Sequence, residues 1–109
     1  MIESNHIIVL VTVGSDAEAQ AISRALISEK KAACVNIVPR VNSIFRWKGN
    51  IEKAEENLLI VKTTAMLLNQ VIDLVKRNHS YEVPEIIALP IVEGNSEYLA
   101  WIDEVTEGE

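Results

Sequence analysis

Two long β-strands in the middle of the chain constrain its fold more than any other feature. Ala33–Trp47 alternates apolar and polar residues, and Ile51–Thr63 returns after the turn signal Lys48-Gly49-Asn50. At ~3.3 Å per residue, an arm of roughly fifteen residues is about 50 Å long, whereas a compact domain of this size is only about 35 Å across. The hairpin is therefore predicted to extend beyond the globule that carries it.

The apolar residues of the first arm share one parity, which predicts that they share one face: Val35, Ile37, Val41, Phe45 and Trp47. Pro39 interrupts this arm, and a proline there indicates an edge position, a bulge or a bend. The outer part of the hairpin still carries apolar residues that a single chain leaves exposed, and an isolated two-stranded ribbon is only marginally stable in water. The sequence therefore favours an obligate oligomer. The alternative is a kinked, shorter pair of strands in a monomer.

Helical periodicity appears in three places outside the hairpin. Ser15 begins a capping box, and the helix behind it is predicted to end at Glu29-Lys30-Lys31, with the lysines near the negative end of its dipole. Leu68–Val75 predicts a second helix that Thr64 can cap and that ends at Lys76, Arg77 and Asn78. A short last helix follows Asn95 or Ser96, and Trp101 is predicted to dock it.

Buried strands complete the pattern at His6–Val13 and Glu85–Val92. The element order is strand, helix, strand, strand, helix, strand and a terminal helix. No linker or repeat divides the chain, so residues 1–109 are predicted to form one domain. The fold class is α+β: a ferredoxin-like βαββαβ sandwich with a long central hairpin and a short C-terminal helix.

Charge and cysteine content exclude several classes of partner. Ten Lys and Arg residues against sixteen Asp and Glu residues give a net charge of −6, which disfavours nucleic-acid binding. The apolar run Ile7–Val13 is too short to span a bilayer, and the N-terminal segment does not resemble a signal peptide, so no membrane association is expected. Cys34 is the only cysteine. The expected location is a reducing compartment, the cytoplasm.

Five segments in order resemble the CutA family of divalent-cation tolerance proteins: LVTVGSDAEAQAISRALISEKKAACVNIVP, SIFRWKGNIE, LLIVKTT, NHSYEVPEIIALPI and GNSEYLAWIDEVT. The match extends from about Ile7 to Val105. The resemblance implies a ferredoxin-like subunit in a stable homotrimer, whose long hairpins wrap around neighbours as in the PII signalling proteins. It also implies a role in tolerance of copper and other divalent cations, and some family members bind copper.

Two residues are candidate metal ligands. The resemblance implies copper ligation by a cysteine in the first strand and two adjacent histidines at a helix end. Here those positions hold Val11 and the pair Asn78-His79, so only His79 carries over. The alternative for His79 is a structural hydrogen bond to a helix-terminal carbonyl or a neighbouring loop. Cys34 is a possible Cu(I) ligand through its thiolate, and the alternative is a small buried side chain.

A second group of residues is predicted to line a cleft between subunits: Lys62, Tyr81, Glu82, Glu85 and Trp47. A Glu–Lys ion pair across an interface that serves assembly alone is the competing interpretation, and Trp47 is expected to anchor a neighbouring subunit. No nucleotide-binding loop, zinc-protease motif or serine-hydrolase motif is present. A small hydrolase acting on acyl phosphates is therefore the weakest alternative.

The leading hypothesis is a non-enzymatic, cytoplasmic homotrimer that takes part in the response to divalent metal ions. It has no obligatory cofactor, and His79 is the expected contact for weak copper binding. The alternative is a PII-like trimer that binds a small ligand or an unidentified protein partner at its intersubunit clefts.

Overall fold

The computed structural model describes residues 5–107, so residues 1–4 and 108–109 of the predicted domain lie outside the described residues. The described part contains four strands and three α-helices: β1 (His6–Val13), α1 (Asp16–Ser28), β2 (Cys34–Trp47), β3 (Asn50–Thr64), α2 (Leu68–Asn78), β4 (Ile86–Pro90) and α3 (Ser96–Thr106). No helix in this part of the chain is long and apolar enough to cross a membrane.

The strands form one antiparallel sheet in the order β2-β3-β1-β4. This order places the first strand beside both the third and the fourth, so α1 and α2 each connect two strands that are not neighbours. The predicted ferredoxin-like βαββαβ arrangement, with its long hairpin and short last helix, is confirmed.

The two faces of the sheet have different coverings. One face, called here the core face, packs against α1 and α2, and its main residues are fully buried: Val9, Val11, Val13, Leu59, Val61, Ile22, Leu26, Val71, Leu74 and Val75. The alternate residues of the strands form the second face. Helix α3 packs against β3, and Tyr98 reaches Cys34 on the second face. Val38, Ile87 and Leu89 remain exposed on that face.

The central hairpin divides at an irregularity between Val38 and Val41. Its inner half, Cys34–Val38 with Leu58–Thr64, lies beside β1, whose last pair with β3 is Val13↔Asn57. Its outer half, Val41–Trp47 with Asn50–Glu56, continues as a two-stranded ribbon past the end of β1. The described chain is accordingly elongated, with extents of 44 × 31 × 22 Å.

The irregularity is a bulge, one of the three possibilities that Pro39 indicated, and it corrects the expected facing of the first arm. Val35 lies opposite Val61, but beyond the bulge Phe45 lies opposite Glu52, so odd-numbered residues of β2 now face even-numbered residues of β3. Directly opposed residues point to the same side of a sheet. Val41, Phe45 and Trp47 therefore lie on the side of the second face, although Val35 and Ile37 pack against the core cluster.

Several element ends also differ from the predictions. Helix α1 ends at Ser28 with no basic residue in its last turn, because Lys30 adopts a left-handed conformation (φ 59°) just beyond the helix. A 3₁₀ turn, Ala65–Leu67, precedes α2, and the Thr64 side chain makes no capping hydrogen bond. Strand β4 ends at Pro90, before the predicted limit of Val92, although the N–H of Ile91 still donates to the carbonyl oxygen of His6.

The predicted caps at Ser15 and Asn95 are confirmed. Each side chain accepts a hydrogen bond from a backbone N–H of the first turn of its helix, at Glu18 and Glu97 respectively. The anchor of α3 is different from the one predicted: Ile102 is fully buried, while Trp101 stacks on Tyr98 with part of its surface exposed.

Candidate functional site

The imidazole of His79 is fully buried at the end of α2, where it joins three parts of the chain. Its Nε2 donates to the carbonyl oxygen of Thr12 on β1 at 2.7 Å, and its Nδ1 accepts from the backbone N–H of Tyr81 at 3.0 Å. A carbonyl can only accept and a backbone N–H can only donate, so Nε2 acts as the donor and Nδ1 as the acceptor in this arrangement. Both ring nitrogens are therefore occupied by structural hydrogen bonds.

A carboxylate from α1 holds the same loop from the other side. Glu18 Oε2 accepts from the backbone N–H of Ser80 at 2.9 Å and lies 3.6 Å from His79 Nδ1. The His79 and Tyr81 rings pack against each other, with centroids 4.7 Å apart. Together these contacts fix the direction in which Tyr81 leaves the loop.

Tyr81 carries its hydroxyl across to the hairpin. The hydroxyl donates to Glu56 Oε2 at 2.8 Å, and Glu56 is only 7% exposed. Burial of the phenol, the hydrogen bond to Glu56, and the negative charges of Glu56 and Glu18 raise the pKa of Tyr81 to about 12. Tyr81 is therefore a stable hydrogen-bond donor to a buried carboxylate at neutral pH.

A cleft of about 730 Å³ opens between the outer half of the hairpin and the loop after α2. Its lining combines charged, polar and apolar side chains: Thr12, Ser43, Ile44, Phe45, Trp47, Glu52, Lys53, Glu56, Tyr81, Glu82, Val83 and Glu85. The volume is in the range of small-molecule sites. The Tyr81–Glu56 hydrogen bond links the two walls.

Four of the five predicted cleft residues meet in this cavity: Trp47, Tyr81, Glu82 and Glu85. Lys62 is elsewhere, beside Cys34 on the second face, where its ammonium donates to Asn36. It is six residues from Glu56 along β3, or roughly 20 Å. Within one chain, therefore, Lys62 does not reach the cleft.

The sequence analysis missed two carboxylates of the cleft, Glu52 and Glu56, which lie in the charged segment IEKAEEN. The alternation of the strand could have placed them together, because Glu52, Glu56 and Leu58 are all even-numbered and point to the same side of β3. They meet Phe45 and Trp47 only because the bulge turns these two residues to the same side of the hairpin. The residue pattern did not reveal that effect of the bulge.

The two candidate metal ligands lie apart. His79 bonds Thr12, whereas Cys34 lies opposite Lys62, which pairs with Ile8, four residues or roughly 13 Å from Thr12 along β1. Cys34 is half-buried next to Tyr98, and burial together with this thiol raises the pKa of Tyr98. Among residues 5–107, no group of three or more His, Cys, Asp or Glu residues could hold a metal ion. The assignment of copper binding to His79 and Cys34 stays a prediction.

Comparison with known proteins identifies the family. Residues 7–105 match the family model described as CutA1 divalent ion tolerance protein. The chain belongs to the CutA1 family. It is 52% identical over 99 residues to the divalent-cation tolerance protein CutA of Thermus thermophilus, covering 91% of this chain and 96% of that protein. It is 47% identical over 97 residues to protein CutA of Bos taurus, covering 89% of this chain but only 54% of the bovine protein.

Solved CutA structures share the fold. The Thermus thermophilus divalent cation tolerance protein superposes with a TM-score of 0.92 at 50% identity, covering 94% of this chain and 99% of that one. A CutA of Archaeoglobus fulgidus, described as a periplasmic divalent cation tolerance protein, gives a TM-score of 0.91 at 46% identity, with the same coverage of 94% and 99%. This CutA1 chain therefore has the fold of its family over nearly its whole length.

Proposed function

We propose that this CutA1 chain acts as a homotrimeric, non-catalytic protein in the response to divalent cations. The main support for this assembly is the structure of the outer half of the hairpin. Beyond Val13↔Asn57, within residues 5–107, each of its strands pairs with the other strand alone, so both outer edges present backbone groups that no described strand pairs. A ribbon of this kind requires a further surface for stability.

Exposed apolar side chains support the same proposal. Ile44 and Ile51 on the outer half are 67% and 70% exposed, and Ile87 and Leu89 are separately exposed on the second face of the sheet. Burial of such side chains against another copy is favourable by roughly 25 cal/mol per Å². A symmetric assembly in which each hairpin covers a neighbour's sheet satisfies both the edges and the apolar surface.

Sedimentation velocity at low micromolar concentration tests the assembly. The expected particle has a mass of about 36 kDa, three times the 12.1 kDa of one chain. A folded particle of one chain at that concentration would contradict the proposal. A dimer would retain the covering role of the hairpin but contradict the trimer.

Copper binding at His79 requires its own measurement, because coordination would displace either the bond to Thr12 or the bond from Tyr81. Calorimetric titration of copper into the native protein and into His79→Ala tests the assignment. His6→Ala is the matched control, since His6 lies on β1 and contacts Asp103 on α3. Identical isotherms for the native protein and His79→Ala would end the assignment. A loss confined to His79→Ala would support it.

A second candidate function is ligand binding at the cleft, as the PII-like alternative predicts. The observation that favours it is the convergence of Trp47, Tyr81, Glu82 and Glu85 on one cavity. In the trimer, Lys62 of a neighbouring copy is proposed to complete the cleft, and a protein partner is the alternative occupant. Titration of small-molecule candidates into Trp47→Ala and the native protein tests this role.

The proposed location is the cytoplasm, as expected for a chain whose only cysteine, Cys34, is an unpaired thiol. The Archaeoglobus fulgidus relative is described as periplasmic, so the compartment needs a direct test. Cell fractionation with antibody detection would give the answer. Recovery in an exported fraction would contradict the proposal.

A further inference from the structure

The walls of the cleft carry more negative charge than positive charge. Four carboxylates, those of Glu52, Glu56, Glu82 and Glu85, face the space together with one ammonium, that of Lys53. With Lys62 of a neighbouring copy, as proposed above, two ammonium groups would still face four carboxylates. Glu56 lies deepest, and Tyr81 holds its Oε2 in place. Glu52, Glu82 and Glu85 are exposed, so their charges act through the summed negative potential of the cleft, which raises the local concentration of cations. The cleft therefore favours a cationic occupant over an anionic one.

Apolar and aromatic side chains form the rest of the wall. Phe45 and Trp47 come from β2, Tyr81 and Val83 from the loop after α2, and Ile44 completes the surface. Aromatic rings attract ammonium and guanidinium groups through their negative faces, more strongly where water is excluded. A hydrated inorganic ion gains nothing from an apolar wall. An occupant that uses both parts of the lining has a charged head and an apolar body.

The size and geometry of the site point in the same direction. A space of about 730 Å³ is much larger than one metal ion requires and suits a small organic molecule. Within residues 5–107, the carboxylates of the cleft do not form a group of three that could hold a metal. The charge of the site is thus spread along a groove instead of converging on one point.

We propose that the cleft binds a small organic cation in which an alkylammonium or guanidinium group is attached to an apolar body. The positive group lies between the glutamates and the aromatic rings, and the apolar body lies along Phe45 and Val83. This inference rests on the ligand-binding role proposed above for the cleft, and it specifies the chemistry of the ligand.

The test compares three probes of similar shape by calorimetry with the full chain: benzyltrimethylammonium, benzylguanidine and the anion phenylacetate. Both cations are expected to bind and phenylacetate is not, and cation affinity is expected to fall as salt screens the carboxylates. Glu56→Gln should weaken cation binding by about tenfold or more, because it removes a charge-assisted contact. Glu104→Gln, an exposed carboxylate on α3, is the matched control and should bind as the native protein does.

The outcomes separate this inference from the assembly. Equal binding of cations and phenylacetate, or no cation binding by a sample that sediments as a trimer, overturns the inference and leaves the trimer intact. Displacement of the cation by stoichiometric magnesium also overturns it, since the site would then be inorganic. If Glu56→Gln does not fold, the pair Glu82→Gln and Glu85→Gln replaces it, because both residues are exposed.

Discussion

The inner and outer halves of the central hairpin share one strand geometry but have different surroundings. In the inner half Leu59 and Val61 are fully buried under α1 and α2, whereas in the outer half Ile44 and Ile51 are mostly exposed. Both halves pair antiparallel with continuous hydrogen-bond registers on either side of the bulge. The difference therefore arises from what covers each half and not from the strands themselves.

This contrast separates two kinds of information in a sequence. Alternation and turn residues specify where strands form, and they do so equally well in both halves. Burial requires a second layer, and in the described part of the chain the loop that carries Tyr81 is the segment that packs on the outer half. The proposed assembly would cover the exposed side chains of Ile44 and Ile51 with another copy.

Among the substitutions that test the contrast between the two halves of the hairpin, Leu59→Ala should cause the largest loss of stability. Removing a fully buried leucine from a packed core lowers the free energy of unfolding by about 2–5 kcal/mol, through lost transfer energy and the cavity left behind. Chemical denaturation measures the loss, and sedimentation should show that assembly is kept. A loss below about 0.5 kcal/mol would mean that the inner half is not the stable part of the hairpin.

Ile51→Lys should affect association while leaving the core of each chain intact. A charge placed in an apolar contact should raise the concentration at which the trimer dissociates by about tenfold or more. The matched control is Ile27→Lys, because Ile27 is an exposed isoleucine on α1, away from the hairpin. If the two variants sediment equally, Ile51 has no special role in association. The proposal that other copies cover the outer half of the hairpin would then be wrong.

Gly49→Ala should have a smaller effect, confined to the tip of the outer half. Gly49 has φ +83° and Lys48 has φ 49°, the pair of left-handed residues that a two-residue type I′ turn needs. Alanine in that conformation should cost about 1 kcal/mol in the free energy of unfolding. Gly94→Ala is the control, because its added methyl makes only ordinary contacts with Leu99. Equal costs would show that the turn does not require its glycine.

The titration of Tyr81 tests whether its hydroxyl contacts Glu56, the outermost buried residue of the hairpin, and is expected to be the smallest of these effects. In Tyr98→Phe, Tyr81 is the only tyrosine, and its ultraviolet titration should have a midpoint near 12. Because this pKa is raised from 10.0, the contribution of Tyr81 to stability is complete below pH 10 and is lost as the pH rises through about 12.

Adding Glu56→Gln should lower that midpoint only part of the way towards 10.0, because burial, the largest cause of the shift, remains. A midpoint near 10.0 before this substitution would mean that Tyr81 and Glu56 are apart in solution. Glu56 would then belong to the exposed part of the hairpin, and the buried part would end nearer to β1.

Local patterns predicted most of the fold. The β-branched run His6–Val13 became β1 with the same limits, and the capping box at Ser15 opened α1. The patterns failed where one residue changes the geometry. Pro39 indicated a bulge but not its effect on Phe45 and Trp47, and Lys30 ended α1 through a left-handed backbone that lysine rarely adopts.

The site was less predictable because its parts come from distant segments. Tyr81, Glu82 and Glu85 were found from their place after a helix, and Trp47 from its place at the hairpin tip. Glu56 was not, because a glutamate in a charged strand segment has no local sign of burial. The role of His79 as a link between β1 and the loop also depends on a partner, Thr12, that is 67 residues away.

The cleft depends on the number of residues in β2 more than on their composition, because the extra residue between Val38 and Val41 sets which side of the ribbon Phe45 and Trp47 occupy. A homologue that lost one residue there would keep every aromatic ring of the hairpin, yet those rings would turn to the opposite side of the ribbon. Insertions and deletions in this short segment are therefore expected to separate CutA1 chains that have the cleft from chains that do not.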